Sequence, residues 1–329
     1  PVVSSRNRID PPVAANHQGG VLGSRAGCRF GRGSKSLLKV QFMGYAVEAI
    51  KSAPDSGRFS EFFQRVFSVE IADTEQLRCD AFRLRYRVYC EERRFERGED
   101  FPDQMESDRH DDGAVHAVVR HRGTGIVVGA VRLILRHHAD PKSRLPLEKA
   151  CGGLLDQDQL DKFDDFHHSV AEVSRFAVSK TAISEVSERT EGSPAHPAAD
   201  ALRDILGGNP FQSVALGLIS ALFQMSAACG VDHWYALMEP ALARHLSRLG
   251  LRFTRVGPLV NHRGKRQPML ASLWHLRQEI LDQNPRLHAL IECGGEPVAR
   301  RTRRAIRVDR SRRTLTSVPF FSAAALQPV

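Results

Sequence analysis

The 329-residue sequence contains no run of eighteen apolar residues and no continuous apolar segment near its start. The first absence argues against a membrane-spanning helix, and the second argues against a secretory signal peptide. The six cysteines include no Cys-x-x-Cys pair, which argues against a disulfide framework and a thiolate zinc site. The adjacent pairs His137–His138 and His167–His168 are poor joint ligands, because neighbours on a strand point to opposite faces. We therefore expect a reduced, cytoplasmic protein with no metal site.

Charge is unevenly spread, and the net charge of +9 belongs to the two ends of the chain. Residues 1–42 hold seven Lys or Arg and one Asp, and residues 298–313 hold eight Arg and one Asp. These ends carry +6 and +7, which leaves −4 for residues 43–297. A general affinity for nucleic acid therefore does not follow from the net charge, and only local patches count.

Composition divides the chain into three parts. Residues 1–42 are rich in Gly, Ser, Arg and Pro without an apolar period, which predicts a disordered basic segment. Residues 43–297 have the pattern of one domain, with predicted insertions at 136–169 and 179–208. Residues 298–329 form an Arg-rich tail that we expect to be disordered or to act as an interaction arm. Without interleaved aromatic residues, a solvated tail is favoured over one that binds nucleic acid or an anionic membrane surface.

Apolar periodicity predicts several helices in the central part. A short amphipathic helix is predicted at 58–67, and a second begins after Asp73 or Thr74 as its cap. The second helix buries a stripe at 4-3-4 spacing, namely Leu77, Ala81, Leu84 and Val88. The clearest helix begins at Asn209-Pro210 and ends at Gly230. Shorter helices are predicted near 147–150, at 240–249 and up to about residue 284.

Strands are predicted at 67–71, 115–121, 126–135, 170–178, 231–238, 251–256 and 267–273. The glycines in 122–125 indicate that the second and third strands form a hairpin. A meander followed by alternating strands and helices predicts an α/β (α+β) fold in which a mixed central sheet is flanked by helices on both faces.

The strand predicted at 170–178 carries an acid and a base, Glu172 and Arg175, in an otherwise apolar run. Such charges are costly to bury unless they are paired or functional. A buried Glu172–Arg175 ion pair that ties two strands together explains this segment alone as well as a functional site does. A second charged segment at 84–112 favours function, since its long loop at 91–113 has no apolar period.

Several short motifs coincide with these predicted elements. Arg85 is followed by Tyr89 after four residues and by Phe95 after six more. Residues 105–111 read Met-Glu-Ser-Asp-Arg-His-Asp, Arg132 lies on the strand after the hairpin turn, and residues 172–176 read Glu-Val-Ser-Arg-Phe. Over residues 68–275 the chain thus resembles the acyl-homoserine-lactone synthase family, a branch of the GNAT acyltransferases.

The resemblance implies a GNAT-like fold with splayed strands, a fatty acyl thioester donor and a small amine acceptor. The family usually has Phe and Trp where this chain has Tyr89 and Phe95, which makes S-adenosylmethionine a less expected substrate. The chain looks closer to N-acyl amino acid synthases, and closest to acyltransferases associated with the PEP-CTERM/exosortase system. The GNAT pyrophosphate signature is missing at 203–213, so an acyl carrier protein is expected as donor rather than coenzyme A, with no bound cofactor.

The expected chemistry assigns roles to the motif residues. Attack of an amine on a thioester needs a neutral amine, and Glu172 is the expected base. Ser174 and Arg175 complete the predicted catalytic group, and a β-bulge within 172–175 is predicted to bring Glu172 and Arg175 together. The remaining predicted substrate-binding residues are Arg85, Tyr89, Phe95, Asp108, Asp111, Arg132 and Phe176. A solvated charge cluster that merely orders the loop is the alternative for the charged members.

Two other functions stay open at this point. The first is an acyl-homoserine-lactone synthase that uses S-adenosylmethionine. The second is a degenerate GNAT domain that binds without catalysis, which the presence of both Glu172 and Arg175 argues against.

Overall fold

A computed structural model of the chain describes residues 56–136, 143–163, 169–190, 210–262 and 264–293. The predictions for the basic segment 1–42, for the tail 298–329 and for both histidine pairs lie outside these residues. So do residues 191–208 of the second predicted insertion and residue 209, the expected cap of the clearest helix.

The described residues form helices and strands in alternation. The strands are β1 (Phe67–Ile71), β2 (Ala114–His121), β3 (Val127–Leu135), β4 (Val170–Val178), β5 (His233–Met238), β6 (Thr254–Arg255), β7 (Val260–Asn261) and β8 (Lys265–Ser272). The helices are α1 (Ser56–Val66), α2 (Glu75–Tyr86), α3 (Pro146–Cys151), α4 (Gln157–Leu160), α5 (Lys180–Thr190), α6 (Pro210–Cys229), α7 (Pro240–Arg248), α8 (Leu273–Gln283) and α9 (Pro285–Cys293).

The strands build one mixed sheet in the order β1-β2-β3-β4-β5-β8-β6, and β7 pairs with β8 beside this path. Every pairing is antiparallel except that of β4 with β5. The parallel pairing covers only residues 170–172 of β4 and 233–235 of β5. Both strands are described along their whole length, and their remaining residues are not paired with each other. The two strands therefore splay apart toward their carboxyl ends.

Helices cover both faces of the sheet, as the sequence predicts. The largest apolar cluster joins one face to α1, α5, α6, α8 and α9. On the opposite face, α2 packs on β2, β3 and β4, while α3 and α4 pack near β5 and β8. Buried residues on β3 point alternately to the two faces of the sheet. Val131 and Leu133 pack in the largest cluster, and Ala130 and Ile134 pack in the apolar clusters on the opposite face.

Two glycines allow α6 to lie close to its neighbours. A Cβ atom at Gly129 of β3 would lie 2.7 Å from a methyl carbon of Val214, and one at Gly217 would lie 2.5 Å from the Phe63 ring. Both distances are shorter than a carbon–carbon contact allows, so larger residues would push α6 away from the sheet or from α1.

Helix α6 is long and apolar enough to span a membrane by length and composition. Within the fold, however, 67% of its most apolar window is buried against other parts of the chain. This burial is what a core helix shows.

Most predicted elements are confirmed. The short α4 and β7 were not predicted, and three larger differences concern the fold. The segment 179–208 was predicted to be a flexible insertion, but α5 occupies 180–190 and buries Ala182, Ile183 and Val186. The predicted strand at 251–256 shrinks to the two residues of β6, an exposed edge strand. Helix α9 was not predicted; it buries Leu287, Leu290 and Ile291 in the large cluster.

Candidate active site

Three arginines and three carboxylates from distant parts of the sequence meet on the α2 side of the sheet. Arg85 comes from α2, Arg132 from β3 and Arg175 from β4. The carboxylates all come from the long loop after α2, and they are Glu106, Asp108 and Asp111. The formal charges of the six side chains sum to zero. Ionised side chains are costly to bury unless they are paired in this way.

Arg85 and Glu106 are the most deeply buried members, each with 1% of its surface exposed. Arg85 Nε donates to Glu106 Oε2 at 2.6 Å, and the two terminal nitrogens of Arg85 donate to the two oxygens of Asp111 at 2.7 and 3.1 Å. The two bonds to Asp111 form the bidentate geometry that makes arginine–carboxylate pairs specific. Helix α2 thereby holds both ends of the 106–111 segment.

Arg132 and Arg175 bind the same carboxylates from the sheet. Arg132 donates from one terminal nitrogen to Asp108 Oδ1 and Asp111 Oδ1, both at 2.7 Å. Arg175 donates to Glu106 Oε1 at 2.9 Å and to Asp108 Oδ2 at 3.0 Å. The side chains of Asp108 and Arg175 retain 28% and 19% exposure, so they form the solvent-accessible end of the network.

The network keeps its carboxylates ionised. Burial alone would raise the pKa of Glu106, Asp108 and Asp111, but hydrogen bonds and charges from the arginines outweigh it and lower the pKa of each. None of the three is therefore suited to take up a proton near neutral pH.

A β-bulge turns Arg175 into this network. Arg132 pairs with Ser174 and Ala130 with Ala177, so the single residue Val131 lies opposite both Arg175 and Phe176. Arg175 adopts a φ of 48°, in the left-handed region that non-glycine residues rarely occupy. The bulge lies at 175–176, so it begins at the last residue of the predicted 172–175 segment and extends one residue beyond it.

The bulge does not bring Glu172 and Arg175 together, so that part of the prediction is wrong. The carboxylate of Glu172 instead accepts a hydrogen bond from the backbone N–H of Leu147 at 2.7 Å, in the first turn of α3. Arg175 forms ion pairs with Glu106 and Asp108 instead. The alternative of a structural Glu172–Arg175 ion pair is excluded on the same ground.

Glu172 lies in an apolar pocket, with 6% of its surface exposed. The buried residues of this cluster include Ile134, Leu147, Cys151 and Tyr235. Burial raises the pKa of Glu172 to about 7, although the Leu147 amide and the charge of Arg132 oppose the shift. A carboxylate that titrates near neutrality is a candidate general base.

Ser174 lies between the two environments on the same face of β4. Its Oγ accepts a hydrogen bond from Arg132 Nε at 3.0 Å. Because residues two apart on a strand share a face, Ser174 and Glu172 both face the α2 side, together with Arg132. Ser174 thus connects the charged network to the strand that carries Glu172.

Of the three predicted aromatic residues, Tyr89 is half-buried beside the network, and Phe95 and Phe176 lie at its exposed rim. Tyr89 Oη donates to the Phe176 carbonyl at 3.4 Å, and the Arg175 guanidinium lies 5.6 Å from the Tyr89 ring centre. Phe95 and Phe176 are 49% and 39% exposed. The backbone N–H of Phe95 donates to the Tyr89 carbonyl at 2.8 Å.

The amino end of α5, just after β4, is closed by Glu92. One carboxylate oxygen of Glu92 accepts from Ser179 Oγ at 2.6 Å and from the N–H of Thr181 at 3.1 Å, and the other accepts from the N–H of Lys180 at 3.1 Å. Burial would raise the pKa of Glu92, but these hydrogen bonds lower it. A helix amino end binds anions, and here the anion belongs to the chain itself.

The structure thus gathers seven of the predicted residues into one cluster: Arg85, Tyr89, Asp108, Asp111, Arg132, Ser174 and Arg175. Glu172 stands beside this cluster in its own pocket, and Phe95 and Phe176 stand at its rim. Glu106 was missing from the predicted site, although it bonds to two of the three arginines. The available signal was its place in the Met-Glu-x-Asp motif.

Comparison with known proteins agrees with this architecture. Residues 84–185 match the family model described as "Acetyltransferase (GNAT) domain", which covers less than half of the chain. This segment runs from the end of α2 to the middle of α5 and contains the whole charged network. The predicted GNAT-like α/β fold, with its central mixed sheet flanked by helices, is therefore confirmed. No curated protein matches the chain.

Among solved structures, FeeM, an N-acyl amino acid synthase from uncultured soil microbes, shares 17% identity over 65% of this chain and 94% of its own, with a TM-score of 0.43. BjaI, a CoA-dependent acyl-homoserine lactone synthase solved with SAM and isopentyl-CoA, shares 19% identity over 72% and 98%, with a TM-score of 0.42. The AHL synthase LasI shares 18% identity over 62% and 87%, with a TM-score of 0.38. At these scores the likeness gives no argument about substrates.

Proposed function

We propose that the protein is an N-acyltransferase that moves a fatty acyl group from an acyl carrier protein thioester to the amine of an amino acid or a similar small molecule. The observation that carries the proposal is the pair of environments along β4. A neutralisable carboxylate, Glu172, lies at the point where β4 and β5 separate, and a charged network lies beside it.

The chemistry requires a base and a place for the amine. Glu172 would take a proton from the ammonium or from the attacking amine, directly or through one water molecule, and its pKa near 7 suits that exchange. The thioester would enter between β4 and β5, where backbone groups beyond residues 172 and 235 lack a partner strand across the splay. Such N–H groups are able to stabilise the oxyanion that forms on the thioester carbonyl.

The accessible end of the network suits an amino acid acceptor. Asp108 and Arg175 present a carboxylate and a guanidinium side by side, and both are partly exposed. An α-amino acid carries the complementary ammonium and carboxylate groups. Arg85 and Asp111 are too deeply buried to touch a substrate, and we assign them to holding the accessible pair in place.

The donor is proposed to be a carrier protein rather than free coenzyme A. The support is the amino end of α5, where Glu92 already supplies the negative charge that the pyrophosphate of coenzyme A would otherwise bring. The missing pyrophosphate signature at 203–213 falls largely outside the described residues, and that absence stays a prediction from sequence. The association with the PEP-CTERM/exosortase system likewise stays a prediction.

An acyl-homoserine-lactone synthase is the second candidate. S-adenosylmethionine also carries an α-amino acid head, which the Asp108–Arg175 pair would fit equally well. The identity of the product therefore decides between the two, because a lactone forms only from the sulfonium substrate.

We expect Glu172→Gln to abolish product formation while the fold is kept. The test incubates the full chain with an acyl carrier protein thioester and a mixture of amino acids and S-adenosylmethionine, and products are measured by mass spectrometry. Loss of the base should reduce the rate by about 10²–10⁴-fold. Glu70→Gln is the matched control, since Glu70 is a partly exposed carboxylate on β1 paired with Arg120, and it should leave the rate unchanged.

The product assigns the function. An N-acyl amino acid, absent with Glu172→Gln, supports the proposal and names the acceptor. An acyl lactone supports the second candidate. Unchanged product with Glu172→Gln refutes the role of Glu172, and no product from a folded wild type refutes the transferase proposal in favour of a binding module.

A further inference from the structure

The segment 240–266 is strongly basic and contains no acidic residue. It comprises α7, β6, β7 and the start of β8, and we call it the basic flank. Its seven basic residues are Arg244, Arg248, Arg252, Arg255, Arg263, Lys265 and Arg266. The flank carries +7 and residues 43–297 together carry −4, so the rest of that span carries −11. The flank is therefore a local positive surface on an otherwise acidic domain.

Only two of the described charges on the flank are paired. Arg252 meets Glu279 at 3.5 Å and Arg266 meets Glu239 at 2.9 Å. Arg244, Arg248 and Arg255 are exposed and form no ion pair with the described parts of the chain. Arg244 and Arg248 are four residues apart on α7, so they lie on one face of that helix.

The flank begins at the opening between the splayed strands. β4 and β5 run parallel and pair only at their starts, so the gap opens toward Val178 and Met238. Met238 pairs with Gln267, so Lys265 and Arg266 of β8 lie just beyond the carboxyl end of β5. Helix α7 starts two residues after Met238. A thioester that enters the gap would therefore pass along the flank.

We infer that the basic flank is the docking surface for the acyl carrier protein, an inference that rests on the proposed function. The partner that fits is an acidic protein that presents its thioester on a flexible arm. Complementary charge near the entry of a site increases the rate of encounter and fixes the orientation of the partner. Exposed Leu242 and Leu259, at 36% and 51%, supply apolar contact area within the same segment.

The test reverses charge on the flank and compares two donors. The full chain carrying Arg244→Glu and Arg248→Glu is assayed with an acyl carrier protein thioester and with the same acyl group on free pantetheine. We expect the KM for the carrier protein donor to rise at least about tenfold, because docking loses its charge complementarity. The rate with acyl-pantetheine, which needs no docking surface, should stay within about twofold of the wild type.

Arg65→Glu with Arg78→Glu is the matched control. Both arginines are exposed, and they lie on α1 and α2, which contact β1 and β2–β4 respectively and not the part of the sheet that carries the flank. The control changes the net charge equally and should leave the KM for the carrier protein unchanged. Raising the salt concentration from about 0.05 to about 0.5 M should raise the KM of the wild type toward that of the flank variant.

Direct binding separates this inference from the proposed function. Fluorescence anisotropy measures binding of a labelled acyl carrier protein, and a labelled DNA duplex is titrated in parallel. Binding of the carrier protein that is lost only in the flank variant supports docking even if no transfer is found, which would refute the proposed function alone. An unchanged KM and unchanged binding in the flank variant would overturn the docking surface, as would equal losses with both donors or with the control. Loss of DNA binding alone would assign the flank to nucleic acid instead.

Discussion

Two buried carboxylates on either side of Arg132, Asp111 and Glu172, are in opposite electrostatic states. Asp111 receives three arginine nitrogens and a backbone N–H, and its pKa is lowered despite its burial. Glu172 receives one backbone N–H, and burial raises its pKa to about 7. Burial is similar, at 4% and 6% exposure, so the partners decide the difference.

The comparison teaches which carboxylate is available for proton transfer. A carboxylate held by arginines stays ionised through the physiological range and serves as a fixed charge. A carboxylate in an apolar pocket exchanges its proton near neutral pH, which is the property that a general base requires. The split between structural and chemical roles therefore follows from the number of charged donors, and each role can be tested separately.

The largest expected effect comes from removing the arginine at the centre of the network. Arg85→Met should lower the free energy of unfolding by about 3–5 kcal/mol, because Glu106 and Asp111 lose partners while they stay buried. Urea denaturation measures the change.

Arg120→Met is the matched control for that prediction. Arg120 on β2 also pairs with two carboxylates, Glu70 and Asp80, but it is about one-quarter exposed. Its loss should cost about 1 kcal/mol or less. Equal losses from the two variants would contradict the view that burial of the Arg85 network sets its importance.

A smaller effect should appear as a pH-dependent stability difference between Glu172→Gln and the wild type. The folded-state pKa of Glu172 is about 7, above the ordinary 4.5, so the wild-type fold holds an extra proton between these values. Its stabilising contribution is complete below about pH 4.5 and is lost as the pH rises through 7. The variant should therefore gain stability relative to the wild type from pH 5 to pH 8, by on the order of 3 kcal/mol.

The stability of both Glu172→Gln and the wild type also depends on pH through His116, so the two proteins must be compared at each pH. Burial lowers the pKa of His116 to about 4, so its contribution to stability rises with pH across an overlapping window. That contribution is common to both proteins and cancels in the difference between their urea midpoints. A difference that stays constant with pH would show that Glu172 is not a neutral-pH titrating group.

Charged residues within patterned elements made much of this site predictable. Arg85 interrupts a helix, and Arg132, Glu172 and Arg175 interrupt strands, so each stands out against an apolar background. Glu106 lies in a loop that has no apolar period, so only its place in the Met-Glu-x-Asp motif distinguishes it from the other acids of that loop. With Glu172 counted as a partner of Arg175, the network already had an acid for each base, and Glu106 was left out.

The fold was predictable where apolar residues repeat over several turns, and less so elsewhere. Helix α5 has a stripe of only three apolar residues, and its Ser- and Glu-rich composition suggested a loop. The short β6 has no buried residue, because it pairs with β8 at the edge of the sheet. The bulge was predicted in order to bring Glu172 and Arg175 together, but Arg175 meets Glu106 and Asp108 instead, because the loop contacts are not encoded in any local pattern.

The smallest expected effect tests the residue that lies between the two environments. Ser174→Ala removes the acceptor of Arg132 Nε, while Arg132 keeps Asp108 and Asp111. The free energy of unfolding should fall by about 1 kcal/mol in urea denaturation. The pH–rate profile, with the rise near pH 7 that we expect from Glu172, should keep its midpoint. If the profile moves or the activity is lost without a comparable loss of stability, Ser174 takes part in the chemistry, and the charged network and the Glu172 pocket act as one unit.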